Sequence, residues 1–521
     1  MMLLEAHNLK LYIKDRLLID AERLQIEKND RIGLVGRNGS GKTTLLMTLA
    51  GEKVPDEGTV KLNATYELIP QLKQTETSKS GGEVTQEYLN EAISKNPAML
   101  FLDEPTTHLD TNHIEWLEKK LINWQGAFVL ISHDRAFLDA LCTVIWEIHD
   151  GHVKIYKGNY SDYVNQKELE QQQQTLAYEK YVQKKRQLEE ALKLKEKKAE
   201  KATKAPKKVN QAEEKKAKPY FAKKQKKLQQ TAKAMETRLE KLEKVEKVKE
   251  DPPIKMNLPN EETFKDKIVL RVKDVTGTIG DRTLWKKVSF HVRGGDKLAI
   301  IGPNGSGKTT LVKKIIHQDD DISISPSMKI GYFSQNLNIL DREKSILENV
   351  RSTSKQEETF IRTVLARLHF FREDVYKLVG VLSGGERVKV ALAKLFVSDI
   401  NTLIMDEPTN FLDIEAVEAL ESLLKEYAGT IIFVTHDRRF TQNIATRILT
   451  IENKKISLFE GTYDEYKQDE PQDQRNVEKD MQLLLETKIT EVLSRLSIEP
   501  SEELEKEFQK LLAEKRKLEK K

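Results

Sequence analysis

Cysteine is almost absent from this 521-residue sequence, in which Cys142 is the only one. One thiol cannot form an internal disulfide or a multi-cysteine zinc site, so we expect a protein of a reducing, cytoplasmic compartment. Long apolar runs are also absent: none approaches the ~18 consecutive apolar residues of a membrane span, which excludes a channel or permease. The first residues lack a basic stretch followed by an apolar run, so no secretory signal is expected.

Charge is abundant but unevenly distributed. The 87 Lys and Arg residues nearly balance the 83 Asp and Glu residues, which leaves a net charge of +4. Residues 171–250 alone carry 25 basic and 12 acidic residues, a net +13, so the remainder of the chain carries −9. A basic block of this kind repels itself and attracts polyanions, and it therefore predicts a polyanionic partner such as nucleic acid.

Several short motifs occur twice. The segment Gly36–Thr44 recurs as Gly302–Thr310, at an offset of 266 residues. Other motifs recur at an offset of 303, which predicts two copies of one domain and a 37-residue insertion in the second copy, or deletion in the first. These motifs are Ser80-Gly81-Gly82-Glu83 and Ser383-Gly384-Gly385-Glu386, Asp103-Glu104-Pro105-Thr106 and Asp406-Glu407-Pro408-Thr409, and Ser132-His133-Asp134 and Thr435-His436-Asp437.

The motifs come directly after short apolar runs. Each glycine-rich motif comes after a run typical of a buried parallel strand, Arg31–Val35 or Lys297–Ile301. The Asp-Glu pairs and the histidines come after similar runs. Because parallel strands deliver such residues at one edge of a sheet, the pattern predicts an α/β fold with a nucleotide site in each copy.

Between the copies, the chain is polar and favours helix. Leu228, Ala232, Met235 and Leu239 succeed one another at helix-seam spacing, which predicts a helical hairpin. We expect Pro206 and Pro219 to bracket its turn, and an arm of about 39 residues would reach ~58 Å. The predicted domains are 1–165 and 251–468 for the two copies, 166–250 for the linker, and 469–521 for a C-terminal helical extension.

The residue types in these motifs point to phosphoryl transfer to water, with ATP and Mg²⁺ as ligands. A Gly-x-x-x-x-Gly-Lys-Thr loop wraps phosphate oxygens with backbone N–H groups, and its lysine reaches the β- and γ-phosphates. We predict that Lys42 and Lys308 bind phosphate and that Glu104 and Glu407 polarise water. His133 and His436 are expected to lie beyond the γ-phosphate. The residues predicted to hold the metal are Thr43, Asp103, Thr309 and Asp406, with Gln71 and Gln335.

The order of these motifs resembles that of the ATP-binding cassette (ABC) superfamily, with Asp110 or Asp413 as the aspartate that comes after each Asp-Glu pair. The resemblance implies two tandem P-loop ABC ATPase domains in a monomer, paired head to tail around two ATP molecules. The nucleotide-binding set is then Tyr12, Gly36, Asn38, Gly39, Ser40, Gly41, Lys42, Thr43, Thr44, Gln71, Ser80, Gly81 and Gly82, with Gly302, Asn304, Gly305, Ser306, Gly307, Lys308, Thr309, Thr310, Gln335, Ser383, Gly384 and Gly385. In the second copy, Thr278 replaces Tyr12, the expected adenine-stacking residue.

Two cassettes without a membrane segment, joined by a charged helical linker, resemble the ABC-F subfamily. Gln71 and Ser80 are nine residues apart, whereas Gln335 and Ser383 are 48 apart, so the first helical subdomain is almost absent. This reduction, together with the long linker and the C-terminal extension, is similar to the Vga-type antibiotic-resistance proteins. The resemblance implies binding to 50S rRNA near the peptidyl-transferase centre, and to tRNA, with protection against lincosamides, pleuromutilins and streptogramin A. Two alternatives remain open: a general translation factor, or the ATPase subunit of a membrane transporter.

Overall fold

The computed structural model describes residues 1–71, 81–107, 109–201, 211–242, 244, 265–280, 282–319, 321–334 and 339–469. The chain forms two compact units. The first unit consists of Met1–Pro259, Phe333–Ile400 and Thr409–Ala428, and the second of Asn260–Tyr332, Asn401–Pro408 and Gly429–Lys521. Part of the second sequence copy therefore lies in the first unit.

The first unit is built on a nine-stranded sheet. Its strands are β1 (Met2–Ile13), β2 (Arg16–Glu27), β3 (Arg31–Gly36), β4 (Glu57–Leu62), β5 (Tyr66–Ile69), β6 (Met99–Asp103), β7 (Ala127–Ile131), β8 (Val144–His149) and β9 (His152–Lys157). Their order is β4-β1-β2-β9-β8-β3-β7-β6-β5. Strands β3, β7 and β6 are neighbouring and parallel, so the three motifs at their ends meet at one edge of the sheet.

The second unit repeats this arrangement. Its strands are β10 (Ile268–Ile279), β11 (Arg282–Arg293), β12 (Lys297–Ile301), β13 (Ile322–Ile324), β14 (Ile330–Phe333), β15 (Thr402–Asp406), β16 (Thr430–Val434), β17 (Arg447–Glu452) and β18 (Lys455–Glu460). They form a three-stranded sheet, β11-β10-β13, and a six-stranded sheet, β14-β15-β16-β12-β17-β18. The parallel trio β12, β16 and β15 corresponds to β3, β7 and β6, which confirms the predicted α/β fold in two copies.

The helices are α1 (Lys42–Leu49), α2 (Gly81–Ser94), α3 (Thr111–Asn123), α4 (Arg135–Leu141), α5 (Tyr160–Lys201), α6 (Gln211–Glu240), α7 (Lys308–His317), α8 (Ile346–Arg351), α9 (Glu358–Arg367), α10 (Gly384–Phe396), α11 (Ile414–Glu426), α12 (Arg438–Ile444) and α13 (Tyr463–Asp469). Two short 3₁₀ helices, Arg372–Tyr376 and Val379–Val381, lie between α9 and α10. None of the helices in the described part of the chain is long and apolar enough to cross a membrane.

Burial explains the apolar runs read from the sequence. Every residue of β6, β7, β15 and β16 is buried, as is typical of parallel strands covered on both faces. On one side of the first sheet, α1 packs with β1–β3 through Leu45, Leu46 and Leu49. On the other side, α3 and α4 contribute Leu117, Leu121 and other residues. The polar residues that end the strands are therefore held by a rigid core.

Helices α5 and α6 extend from the first sheet and pack against each other. Helix α5 has 42 residues, or ~63 Å at 1.5 Å per residue, and begins at Tyr160 rather than near residue 166. The predicted position of Pro219 was wrong, because this proline lies inside α6 and not at a turn. Proline removes one helix donor, but the surrounding Ala, Gln, Lys and Leu residues favour helix strongly enough to continue through it. Pro206 and the C-terminal extension beyond residue 469 lie outside the described residues.

The 37-residue difference between the copies corresponds to visible structure. In the second copy, α8, α9 and the two 3₁₀ helices lie between β14 and α10. In the first copy, α2 begins at Gly81, and Ile69 is the last residue of β5, so no comparable set of helices fits between them. Helix α2 consequently exposes Tyr88, whereas Ala391, at the equivalent position of α10, is fully buried.

Candidate active site

Both glycine-rich motifs form a loop that leads into a helix. Gly39 and Gly41 have φ angles of 77° and 101°, and Gly305 and Gly307 have φ angles of 74° and 99°, a region that side-chain-bearing residues rarely adopt. The loop ends at the first residue of α1 or α7, so unpaired helix N–H groups lie next to it. This geometry creates an anion-binding concavity in each cassette.

The two P-loop lysines are held in the same way. The Nζ atom of Lys42 donates to the carbonyls of Gly36 at 2.7 Å and Arg37 at 3.1 Å. The Nζ atom of Lys308 donates to the carbonyls of Gly302 at 2.8 Å and Pro303 at 3.1 Å. Both lysines are buried, and burial lowers the pKa of Lys42. The ammonium groups therefore lie within the loop where a phosphate would bind.

Oxygen atoms suited to a hard cation lie beside each loop. The Thr43 hydroxyl lies near the Asp103 carboxylate and that of Thr309 near Asp406, and each opposes the rise in pKa of its aspartate. Burial raises the pKa of both aspartates. Among the described residues, buried Oδ1 atoms of Asp103 and Asp406 have no hydrogen-bond partner, and the same is true of the Oγ atoms of Ser40 and Ser306. Buried oxygens normally have partners, so this unused set fits Mg²⁺ with phosphate oxygens.

The glutamate after each aspartate has an unusual backbone. Glu104 has a φ angle of 51° and Glu407 one of 50°, in the left-handed region, which costs about 1–3 kcal/mol outside glycine. Burial raises the pKa of Glu104 to about 7 and that of Glu407 to about 8, against the opposing charge of Lys42 or Lys308. The same strain in both cassettes indicates that the fold holds these carboxylates at a fixed place by the P-loop.

A histidine lies close to each glutamate. The Nε2 atom of His133 is 3.2 Å from Oε1 of Glu104, and the Nε2 atom of His436 is 3.5 Å from Oε1 of Glu407. Burial lowers the pKa of His133 to about 4, with a further contribution from the charge of Lys42. The structure thus brings lysine, aspartate, glutamate and histidine together in each cassette.

In the first unit, the P-loop also contacts the segment that comes after Thr409. The backbone N–H of Asn38 donates to Oδ2 of Asp413 at 2.9 Å, and its side-chain amide donates to the carbonyl of Phe411 at 3.1 Å. Gly385 lies at the same place, since a Cβ atom there would be 2.7 Å from the Phe411 carbonyl oxygen and 3.4 Å from Nδ2 of Asn38. The first P-loop and the second Ser-Gly-Gly-Glu motif are therefore neighbours.

The contact of the first P-loop with α10 and α11 depends on the cap at Ser383 and on the charge of Asp413. Ser383 caps α10 through a capping box: its hydroxyl accepts from the Glu386 N–H at 3.3 Å, and the Glu386 carboxylate accepts from the Ser383 N–H at 2.8 Å. Burial opposes ionisation of Asp413, but Lys389 and the N–H groups of Asn38 and Ala416 hold its pKa below the ordinary value. Asp413 is thus a charged acceptor at the helix N-terminus.

Other predicted site residues are placed less completely. Tyr12 is half-buried and pairs with Leu17 across strands β1 and β2. Thr278 pairs with Thr283 at the same place of strands β10 and β11, so Tyr12 and Thr278 occupy equivalent positions, as expected. Gln71 is exposed just beyond β5. Gln335 and Ser80 lie outside the described residues, and Gly81 and Gly82 are the first two residues of α2.

The sequence reading missed a row of carboxylates on α11. Glu415 pairs with Arg37 at 2.6 Å, Glu418 accepts from the Tyr160 hydroxyl at 3.1 Å, and Glu421 pairs with Arg135. Their spacing of three residues places them on one helix face. That spacing was visible in the sequence, but their partners lie 258 to 378 residues away along the chain.

Comparison with known proteins agrees with this geometry. A family model described as "ABC transporter" matches residues 19–74 and 285–410, and a second model with that description matches residues 146–220. The chain is 31% identical to the ribosome protection protein VmlR of Bacillus subtilis (strain 168), over 94% of this chain and 92% of that protein.

Two further relatives cover most of the chain. The erythromycin resistance ATP-binding protein MsrA of Staphylococcus epidermidis is 34% identical over 84% of this chain and 95% of its own. The ATP-binding protein Uup of Haemophilus influenzae is 29% identical over 90% of this chain and 82% of its own. The predicted family resemblance is confirmed. The chain belongs to the ABC-F family of ATP-binding cassette proteins, whose cassettes bind and hydrolyse ATP.

Proposed function

We propose that this ATPase binds the bacterial ribosome in the cytoplasm and protects the peptidyl-transferase centre from lincosamide, pleuromutilin and streptogramin A antibiotics. ATP would close the two cassettes head to tail, and hydrolysis would release the protein. The observation that carries the proposal is the pair of packed helices α5 and α6, since residues 171–250 around them carry a net charge of +13. Lys and Arg side chains that contact rRNA phosphates release counterions, which favours binding.

The site residues have distinct roles in this proposal. Lys42 and Lys308 bind the β- and γ-phosphates. Thr43 and Asp103, or Thr309 and Asp406, would hold Mg²⁺ with Gln71 or Gln335, and the metal would supply neutralisation of phosphate charge. Glu104 and Glu407, fixed in a strained backbone, orient and polarise the attacking water, while His133 and His436 position the glutamates and contact the γ-phosphate side. Tyr12 stacks on the first adenine.

In this proposal, each ATP site is completed by residues of the other cassette, which bind the nucleotide opposite the P-loop. Ser383, Gly384 and Gly385 complete the first site, a pairing supported by the Asn38 contacts with Phe411 and Asp413. By the same head-to-tail rule, Ser80, Gly81 and Gly82 complete the second. An N-terminal helix cap such as that of α10 is suited to an anion, so the first γ-phosphate would be held between the P-loop of Lys42 and the N-terminus of α10.

The pairing predicts a specific effect of Gly385→Ala. The added methyl group would lie 2.7 Å from the Phe411 carbonyl oxygen, so it must push the Asn38–Phe411 contact apart. We expect ATP turnover by the isolated protein to fall by about tenfold or more, because a misplacement of ~1 Å costs up to about 10² in rate. Leu395→Met, a volume-conserving change at a partly buried position of the same helix α10, controls for helix disturbance. Unchanged turnover in Gly385→Ala would contradict the head-to-tail pairing.

The ribosome proposal is tested by the double variant Glu104→Gln, Glu407→Gln. Removing both carboxylates should stall hydrolysis while the P-loops still bind ATP, so we expect the variant to co-sediment with 70S ribosomes in ATP but not in ADP. The wild-type protein should co-sediment less with ATP because it releases itself. A matched control is Glu22→Gln, which removes an exposed carboxylate of β2. Equal sedimentation of the double variant and wild type would disprove release by hydrolysis.

A general translation factor is the second candidate, because the Uup relative is described only as an ATP-binding protein, with no drug in its name. Minimum inhibitory concentrations in a sensitive host separate the candidates. Raised values for the three proposed classes support protection. Normal drug sensitivity with a drug-independent growth defect on deletion supports the general factor.

A further inference from the structure

The first ATP site contains an ion pair that the second cannot form. The Nε atom of Arg37, in the first P-loop, lies 2.6 Å from Oε2 of Glu415, in the first turn of α11. At the equivalent positions of the repeat, Arg37 corresponds to Pro303 and Glu415 to Asn112. Neither proline nor asparagine carries a charge, so the pair is absent from the second site by residue type alone.

The rest of the α11 carboxylate row does repeat. Glu418 and Glu421 correspond to Glu115 and Glu118, and their partners Tyr160 and Arg135 correspond to Tyr463 and Arg438. The residue types of these two pairs therefore recur in both copies of the sequence. The residue types of the Arg37–Glu415 pair do not recur, so this pair is specific to the first P-loop.

A second difference affects the two aspartates. Asp413 uses Oδ2 to accept from the Asn38 backbone and Oδ1 to accept from Ala416. Asp110, its counterpart, accepts at Oδ1 from both the backbone N–H and the ring Nδ1 of His113, at 3.0 Å and 2.6 Å. Ala416 stands at the position of this histidine in α11. The two aspartates therefore differ in the contacts they make within their own helix turn, and the Arg37–Glu415 pair is the difference that bears on the first P-loop.

The ion pair is placed to position its neighbours. Arg37 and Glu415 lie one residue from Asn38 and two from Asp413, and these two residues make the direct contact. The Lys42 ammonium bonds the carbonyl of residue 37, not its side chain, so a substitution there leaves the phosphate-binding lysine in place. We propose that Arg37 and Glu415 are positioning residues that hold the α11 segment on the first P-loop, so that the first ATP is released more slowly than the second.

This inference rests on the head-to-tail pairing proposed above but not on the ribosome. The test loads the stalled variant Glu104→Gln, Glu407→Gln with a fluorescent N-methylanthraniloyl ATP and chases it with excess ATP. Two phases of release are expected, and Lys42→Ala should remove the slower one. Arg37→Glu or Glu415→Arg should accelerate the slower phase alone by about two- to fivefold, the range for a partly exposed ion pair.

Charge exchange separates positioning from general damage. The combined Arg37→Glu, Glu415→Arg variant should return the slower phase to within about twofold of the parent, because the pair is restored with its charges reversed. Arg351→Glu is the matched control, since it reverses an exposed arginine paired with Glu358 on α9 and should change neither phase. Circular dichroism melting verifies that each variant is folded.

Four results would overturn the inference: a single release phase, no change in either single variant, equal acceleration of both phases, or failure of the exchanged pair to recover. Failure of the positioning role can also be distinguished from failure of the head-to-tail pairing. If Gly385→Ala retains full ATP turnover, the pairing itself is wrong. If the pairing holds but the slower phase ignores residues 37 and 415, only the positioning role is lost.

Discussion

Lys42→Ala and Lys308→Ala are each expected to lower ATP turnover of the isolated protein by about 10²-fold or more. Each ammonium is buried within its P-loop and is held by two backbone carbonyls, so its charge is directed at one place. Preorganised charge of this kind accounts for about 10²–10³ in rate when one group is removed. Steady-state phosphate release, measured with saturating ATP, gives kcat for each variant.

The two variants also show whether the sites depend on each other. Turnover near half of wild type in either one would mean that the cassettes hydrolyse independently, which contradicts a shared closed state. Lys344→Ala is the matched control, because that lysine forms an exposed ion pair with Asp341 and belongs to neither P-loop. We expect it to retain wild-type turnover, since exposed pairs contribute little.

Much of each half-site was predictable because its chemistry is local. The P-loop, the Asp-Glu pair and the histidine each end an apolar strand, and the order of parallel strands brings them to one edge. The 37-residue change of offset also located the extra helices α8 and α9. These features depend on short-range periodicity and on duplicated motifs, both of which can be read along the chain.

The contacts between distant segments were not predictable in this way. Arg135 and Glu421 are 286 residues apart, and nothing in the spacing of either residue indicates the other. The prediction of a turn at Pro219 was wrong for a different reason. The helix-breaking tendency of this proline is outweighed by the helix propensity of the residues around it. The left-handed backbone of Glu104 and Glu407 was also missed, since glutamate has no intrinsic preference for it and only the surrounding fold imposes it.

The Arg135–Glu421 pair is expected to have the second large effect. The two side chains are 4% and 6% exposed, and the guanidinium contacts both carboxylate oxygens. Removing one partner from a buried pair leaves the other charge poorly compensated, at a cost of up to about 3–5 kcal/mol, and Arg135 would then have Glu418 at 4.0 Å as its nearest carboxylate. Replacing both partners with apolar residues is often neutral. Arg135→Met and Glu421→Leu should therefore each loosen α11, and the double variant should be far less affected.

Hydrogen exchange of peptides covering Ile414–Glu426 measures this directly. A loss of ~3 kcal/mol corresponds to exchange that is faster by roughly 10²-fold, and we expect it in each single variant but not in the double. Arg23→Met, which breaks the exposed pair with Glu5, is the control and should leave α11 protected. If the double variant exchanges as fast as either single variant, the charge pair itself holds α11. If the double variant exchanges as slowly as wild type, apolar packing by the buried residues Val417 and Leu420 provides the stability of α11. The charge pair then serves to disfavour other positions of α11.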